Sequence, residues 1–293
     1  MAQPEIACAL DAGAEVGEGA LWDVEEQALF WVDIPAARLH RFDPASGESR
    51  TWELGEPIGC LALREQGGAV VALHSGFHLF DFETATKTLI IDPEADRPLN
   101  RFNDGATDRQ GRFWAGTMRL GEPAPEGAFY RLDPDRSCTR WQDGIFTTNG
   151  LAFSPDGRTM YCSDSSPQVR TIWACDYDPA SGAPGPRRVF FDTRAVAGRP
   201  DGGTVDADGC YWMAGVGGAQ LVRLTPAGRI DRIIELPFAR PSKPAFGGPA
   251  LDVLFVTTIG RDQPAAPGQP RPGALLAITG LGVQGVPEIR FGG

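Results

Sequence analysis

Apolar residues in this chain come in short runs, each closed by a cluster of Gly, Pro, Asp, Asn or Ser. No stretch keeps the 3.6-residue spacing of an amphipathic helix, so the pattern predicts an all-β protein. In the stretch that opens at Asn149, four strands can be followed, at 150–153, 159–163, 171–177 and 188–191. Pro155-Asp156-Gly157 joins the first pair and Asp178-Pro179-Ala180-Ser181-Gly182 the last. Pro presets φ and Gly supplies φ > 0 in such turns, which marks antiparallel hairpins. Asp43-Pro44-Ala45-Ser46-Gly47 repeats the second turn near the N-terminus.

This unit recurs. Asn103, Asn149 and Asp201 each stand eight residues before a turn glycine, respectively Gly111, Gly157 and Gly209. Weaker copies open at Glu18, Ile58 and Pro244. Six units of about 45 residues with four strands each predict a six-bladed β-propeller forming one domain over residues 1–293. The last copy ends weakly at Pro287-Glu288-Ile289-Arg290, so residues 6–10 are expected to supply the outer strand that closes the ring and covers a sheet edge. Two Pro/Gly-rich stretches, 121–127 and 262–273, fall between second and third strands. They are expected as rims on the face where the first strands begin.

Equivalent positions of a propeller lie on a ring around its channel, here Glu18, Ile58, Asn103, Asn149, Asp201 and Pro244. Two carboxylates and two amides gathered at one place are costly without a partner, and a hard divalent cation is the natural one. The plainer reading is that Asn-Gly and Asp-Gly open strands as good turns. Four such residues at equivalent sites favour convergence.

Composition excludes several classes. The net charge of −11 is spread along the chain without a basic block, so nucleic acid is not an expected partner. No run of 18 apolar residues suits a membrane span, and residues 1–5 lack the basic and apolar regions of a signal peptide. The expectation is a cytoplasmic protein with no obligate protein partner. The six cysteines are scattered singly and read as reduced thiols. His74 and His78 flank the Ser75-Gly76 turn and read as hairpin residues, and Gly215-Val216-Gly217-Gly218 lacks a nucleotide-binding context. No GxSxG elbow or HExxH pair occurs. Asp206-Ala207-Asp208-Gly209 reads as a β-turn, and Trp31, Trp114 and Trp212 as inter-blade packing at one recurring position.

Gly17-Glu18-Gly19, Arg101-Phe102-Asn103-Asp104-Gly105 followed by Trp114-Ala115-Gly116-Thr117-Met118, the run from Asn149 to Gly157, Arg199-Pro200-Asp201-Gly202 and Phe246-Gly247-Gly248 together resemble the SMP-30/gluconolactonase/regucalcin-like family. The resemblance spans nearly the whole chain in the family's order. It implies a six-bladed propeller with one divalent metal on the axis (Ca, Zn, Mn, Mg or Fe(II)), bound by Glu18, Asn149 and Asp201. It also implies a small-molecule sugar lactone as substrate, held by Arg101 and Asn103 and hydrolysed with Asp201 as the catalytic base. The family's acidic lid residue falls at Gly121, which leaves Glu122 as the candidate substrate contact. The alternatives are an arylesterase or phosphotriesterase on the same scaffold, and a non-catalytic calcium-binding or docking propeller.

Overall fold

Six antiparallel sheets follow one another along the chain, each built from four consecutive strands except the fourth, which has a fifth short strand, and the last, which takes one strand from the N-terminal end. These coordinates are a computed structural model describing residues 4–265 and 267–293; Met1, Ala2 and Gln3 of the N-terminal reading, and Ala266 within the second rim stretch, lie outside the described residues. The innermost strands are Gly17–Asp23, Ile58–Leu63, Asn100–Thr107, Thr148–Phe153, Arg199–Val205 and Pro241–Gly247. They open blades 1 to 6 and neighbour one another in a closed ring, blade 6 returning to blade 1. The protein is a six-bladed β-propeller.

Local sequence accounts for the blades. Blade 4 runs Thr148–Phe153, Thr159–Asp164, Thr171–Asp178 and Arg188–Asp192, within two residues of the strands that periodicity predicts. An added two-residue strand, Ala183–Pro184, pairs with the third. The ring closes as expected: Glu5–Leu10 pairs antiparallel with Leu275–Thr279 and completes blade 6 from the other end of the chain. Residues 287–290, read from sequence as the end of the sixth unit, lie instead outside that sheet. The segment after Leu275–Thr279 crosses the far end of the ring. There Gly285 bridges Asp206 of blade 5, the Phe291 amide donates to Leu63 O (2.7 Å), and the Gly292 amide donates to Gly111 O (3.1 Å). Arg109 also donates to Pro287 O (2.8 Å), so these backbone groups satisfy other blades rather than extending their own.

Because strand residues alternate between faces, each blade buries one side against the blade before it and the other against the blade after. Six apolar clusters fill the six interfaces. Trp114 and Trp212 hold equivalent positions, each facing the following blade; Trp212 meets Phe246 edge-on at 5.9 Å. Trp31 also packs between blades, but one residue further along its strand, so it faces blade 6. Phe30 fills the position matching Trp114. The one-position reading therefore holds for two of the three tryptophans.

The candidate active site at the channel mouth

Each innermost strand carries a β-bulge near its start. An extra residue at a bulge bends the strand and re-aims a side chain. Six equivalent pairs precede the bulges: Gly17 with Asp33, Ile58 with Leu73, Phe102 with Thr117, Thr148 with Asp164, Pro200 with Gly215 and Pro241 with Thr258. The next residue in each strand is Glu18, Gly59, Asn103, Asn149, Asp201 or Ser242. The four polar anchors thus keep equivalent positions, whereas Ile58 and Pro244 are replaced on the ring by Gly59 and Ser242. Glycine is needed at 59, since a Cβ there would lie 2.5 Å from the Phe102 carbonyl carbon.

The anchors of blades 1, 3, 4 and 5 are buried and close together. Asn103 Nδ2 donates to Asn149 Oδ1 (3.1 Å) and Thr148 O (2.8 Å), while Arg101 donates to Asn103 Oδ1 (2.8 Å) and Phe102 O (2.7 Å). Asn149 Nδ2 donates to Ser165 Oγ (2.7 Å), and that hydroxyl donates to Pro200 O. The chain fixes which end of the Asn149 amide faces inward.

Glu18 and Asp201 are both buried at the mouth, near enough for each to shift the other's carboxyl. Burial, then the charges of Asp201 and Asp104, push the Glu18 carboxyl well above the usual carboxylate range. Burial and Asp104 raise Asp201 to about 7, against the opposing pull of Arg199, Glu18 and Lys243. Burial lowers the Arg101 guanidinium to about 10, with Glu18 opposing and Arg261 adding to the shift. Two buried carboxyls, both raised mainly by burial, beside an amide oxygen form a donor set suited to a hard divalent cation. Among the described residues no three His, Cys, Asp or Glu side chains group for a metal.

Several supporting residues carry no motif of their own in the sequence. Asp33 accepts from the Glu15 and Val16 amides (2.8 and 2.9 Å), and Asp164 from those of Phe146, Thr147 and Ser166 (2.9, 3.1 and 2.9 Å). Each thereby fixes the backbone entering an anchor strand. Comparing the ends of the second strands, Val32-Asp33 and Ser163-Asp164, would reveal the equivalence. Lys243 and Asp104 form a buried ion pair (2.7 Å) below the anchors. The channel there narrows to a cavity of ≈ 40 Å³, lined in part by Cys60, Leu151, Lys243 and Glu288, with room for roughly three waters.

The rim loops emerge on the expected face. Residues 120–126 are tied by Arg119 to Glu126 (3.3 Å) and by Arg97 to Glu126 O (2.7 Å). Glu122 stands exposed on that loop, with no hydrogen bond or ion pair to the cluster among the described residues. On the second rim Arg261 pairs with Glu15. His74 and His78 sit at their hairpin, bonded to Pro98 O (3.1 Å) and Gly76 O (3.2 Å). Asp206 is a turn residue, its Oδ1 accepting from the Asp208 and Cys210 amides (both 3.0 Å).

Residues 16–260 match the model of the SMP-30/Gluconolactonase/LRE-like region. The chain belongs to this family. It is 38% identical to a 6-deoxy-6-sulfogluconolactonase of Pseudomonas putida over 98% of its own length and 99% of the relative's. It is 34% identical to a regucalcin of Xenopus laevis over the full length of both. Among solved structures, the calcium-binding protein regucalcin of Agrobacterium tumefaciens superposes with a TM-score of 0.90 at 29% identity, over 97% of this chain and 96% of that one.

Proposed function

We propose that this member of the SMP-30/Gluconolactonase/LRE-like family is a sugar lactonase that opens an aldonolactone to its aldonic acid. The carrying observation is the pair of buried carboxyls, Glu18 and Asp201, facing Asn149 and the Arg101-Asn103 couple at one channel mouth. The sulfogluconolactonase relative supports the same reading. Glu18, Asn149 and Asp201 would hold a divalent cation, which when bound would supply Lewis-acid polarisation of the lactone carbonyl.

The chain's own groups do the rest. Arg101 and Asn103 hydrogen-bond the hydroxyl and carbonyl oxygens of the sugar, which fixes the ring for attack from one side. Asp201 takes the proton of the attacking water as its oxygen bonds to the carbonyl carbon. The ring C–O bond then breaks, and that proton passes to the departing ring oxygen, giving the open hydroxy acid.

The mouth favours polar substrates over aryl esters or phosphotriesters. Arg199 reaches Ser165 O (3.2 Å) and Arg240 reaches Arg261 O (2.9 Å), and neither forms an ion pair among the described residues. Lactones that carry an anionic group, like that named in the Pseudomonas putida relative, therefore join neutral ones in the substrate class. Acid release above the spontaneous rate, measured on neutral and C6-anionic aldonolactones, an aryl acetate and a phosphotriester, tests the proposal. Turnover of a sugar lactone supports it; turnover of the ester or phosphotriester alone, or of nothing by cation-loaded protein, contradicts it.

A further inference from the structure

We infer that Lys243 is a positioning residue for the mouth, acting as a strut across the channel rather than as a charge. Blades 3 and 6 are diametrically opposed in a six-bladed ring, and Lys243 of blade 6 spans that distance to Asp104 Oδ1 of blade 3 (2.7 Å). Both side chains are almost fully buried, so neither is a solvated surface partner. Each end of the strut adjoins anchors. Asp104 follows Asn103, and its second oxygen accepts from the Leu151 amide (2.9 Å), two residues beyond Asn149. The Lys243 ammonium lies 3.5 Å from Leu151 O, which ties blade 4 from both sides.

The stem of Lys243 reaches blade 5 as well. A Cβ on Gly202 would stand 2.4 Å from Lys243 Cδ and 3.0 Å from its Cα, so the backbone just after Asp201 leans on this side chain. One lysine therefore meets the blades carrying Asn103, Asn149 and Asp201, all below the anchors themselves. A packed, fully paired group in this place holds the relative depth of three anchors, because removing it leaves a void and a buried carboxylate with one partner fewer.

A strut and a charge make opposite predictions for cation binding. Removing a positive charge near Glu18 and Asp201 would tighten a cation by simple electrostatics; removing a strut loosens it by misplacing its donors. The test uses the full chain, with Mn2+ as probe in calorimetry and electron paramagnetic resonance. Lys243→Met and the double variant Asp104→Asn/Lys243→Met are compared with the unmodified protein. The double variant carries no unpaired buried carboxylate, so it guards against loss of folding in the single one.

The expected result is at least tenfold weaker Mn2+ binding with an altered resonance spectrum in the folded variants. On a lactone substrate, kcat should fall at least tenfold while KM stays within about threefold. Unchanged or tighter Mn2+ binding overturns the inference, as does an unmodified protein that takes up no Mn2+. The kcat arm rests on the lactonase proposal and the cation arm does not. Failure of all lactone turnover with weakened Mn2+ binding would thus count against that proposal alone.

Discussion

Asp201 carries more of the account than any other residue. It is buried, its carboxyl is raised to about 7, and the proposed reaction gives it two roles, ligand and base. Asp201→Ala is expected to lower kcat by about 10³-fold or more, within the range for loss of a general base compounded by a lost ligand, and to weaken Mn2+ binding in a direct titration. A variant that stays active and cation-replete would remove Asp201 from both roles.

The raised carboxyls also set the pH behaviour. Asp201 moves from an ordinary 3.8 to about 7, and Glu18 moves in the same direction, so the cation-free folded protein holds protons that the unfolded chain releases first. Stability of the cation-free protein should fall as pH rises from about 4 to 7, because the folded state binds more protons there. A bound cation opposes this, and its affinity should rise over the same interval as protons cease to compete. Melting curves at pH 5 and pH 8, with EDTA or with added cation, check both signs. A cation-induced rise in Tm that is larger at pH 5 would contradict them.

The bulged inner strands and their entry loops form the next scale. Asp164 gathers three backbone amides ahead of and beside the Asn149 strand, so Asp164→Ala should destabilise the fold by about 3 kcal/mol, as expected for lost bonds to a charged acceptor. Urea unfolding measures this, and a loss under about 0.5 kcal/mol would show that the loop holds itself. The four polar anchors were legible because three of them keep a fixed spacing to a turn glycine and the fourth stands in a Gly-Glu-Gly stretch. Blade 2 keeps the spacing, from Gly59 to the turn glycine Gly67, but its anchor is itself a glycine and carries no polar mark; in blade 6 Ser242 has its turn glycine, Gly248, only six residues on. Ile58 and Pro244 were misplaced for that reason. Ser165 and Asp33 act through a hydroxyl and backbone amides brought near only by folding, and a one-dimensional pattern holds no trace of such partners.

For the whole molecule, six-fold repetition made the architecture readable, since an error in one blade is outvoted by the other five. Closure by residues 5–10 was legible because an unpaired edge demands a strand. The path of residues 280–293 was not, as it follows no repeat and forms its backbone hydrogen bonds with blades 2, 3, 5 and 6. Deleting residues 1–10 should expose the edge of Leu275–Thr279 and lower Tm on the order of 10 °C, the shift that a loss of a few kcal/mol gives in a chain of this size. Scanning calorimetry with light scattering would record it, and an unchanged Tm would mean that the far-end crossing alone holds the ring.

On the proposed function, Glu18, Asn149 and Asp201 hold a divalent cation at the mouth where a sugar lactone is opened. Its most direct test is acid release from an aldonolactone by EDTA-stripped protein, before and after stoichiometric return of Mn2+ or Ca2+, with Glu18→Gln run in parallel. Stripping should abolish the enzymatic rate, return of a cation should restore it, and the variant should recover little. Full activity in protein shown to contain no cation, or full recovery in Glu18→Gln, would contradict it.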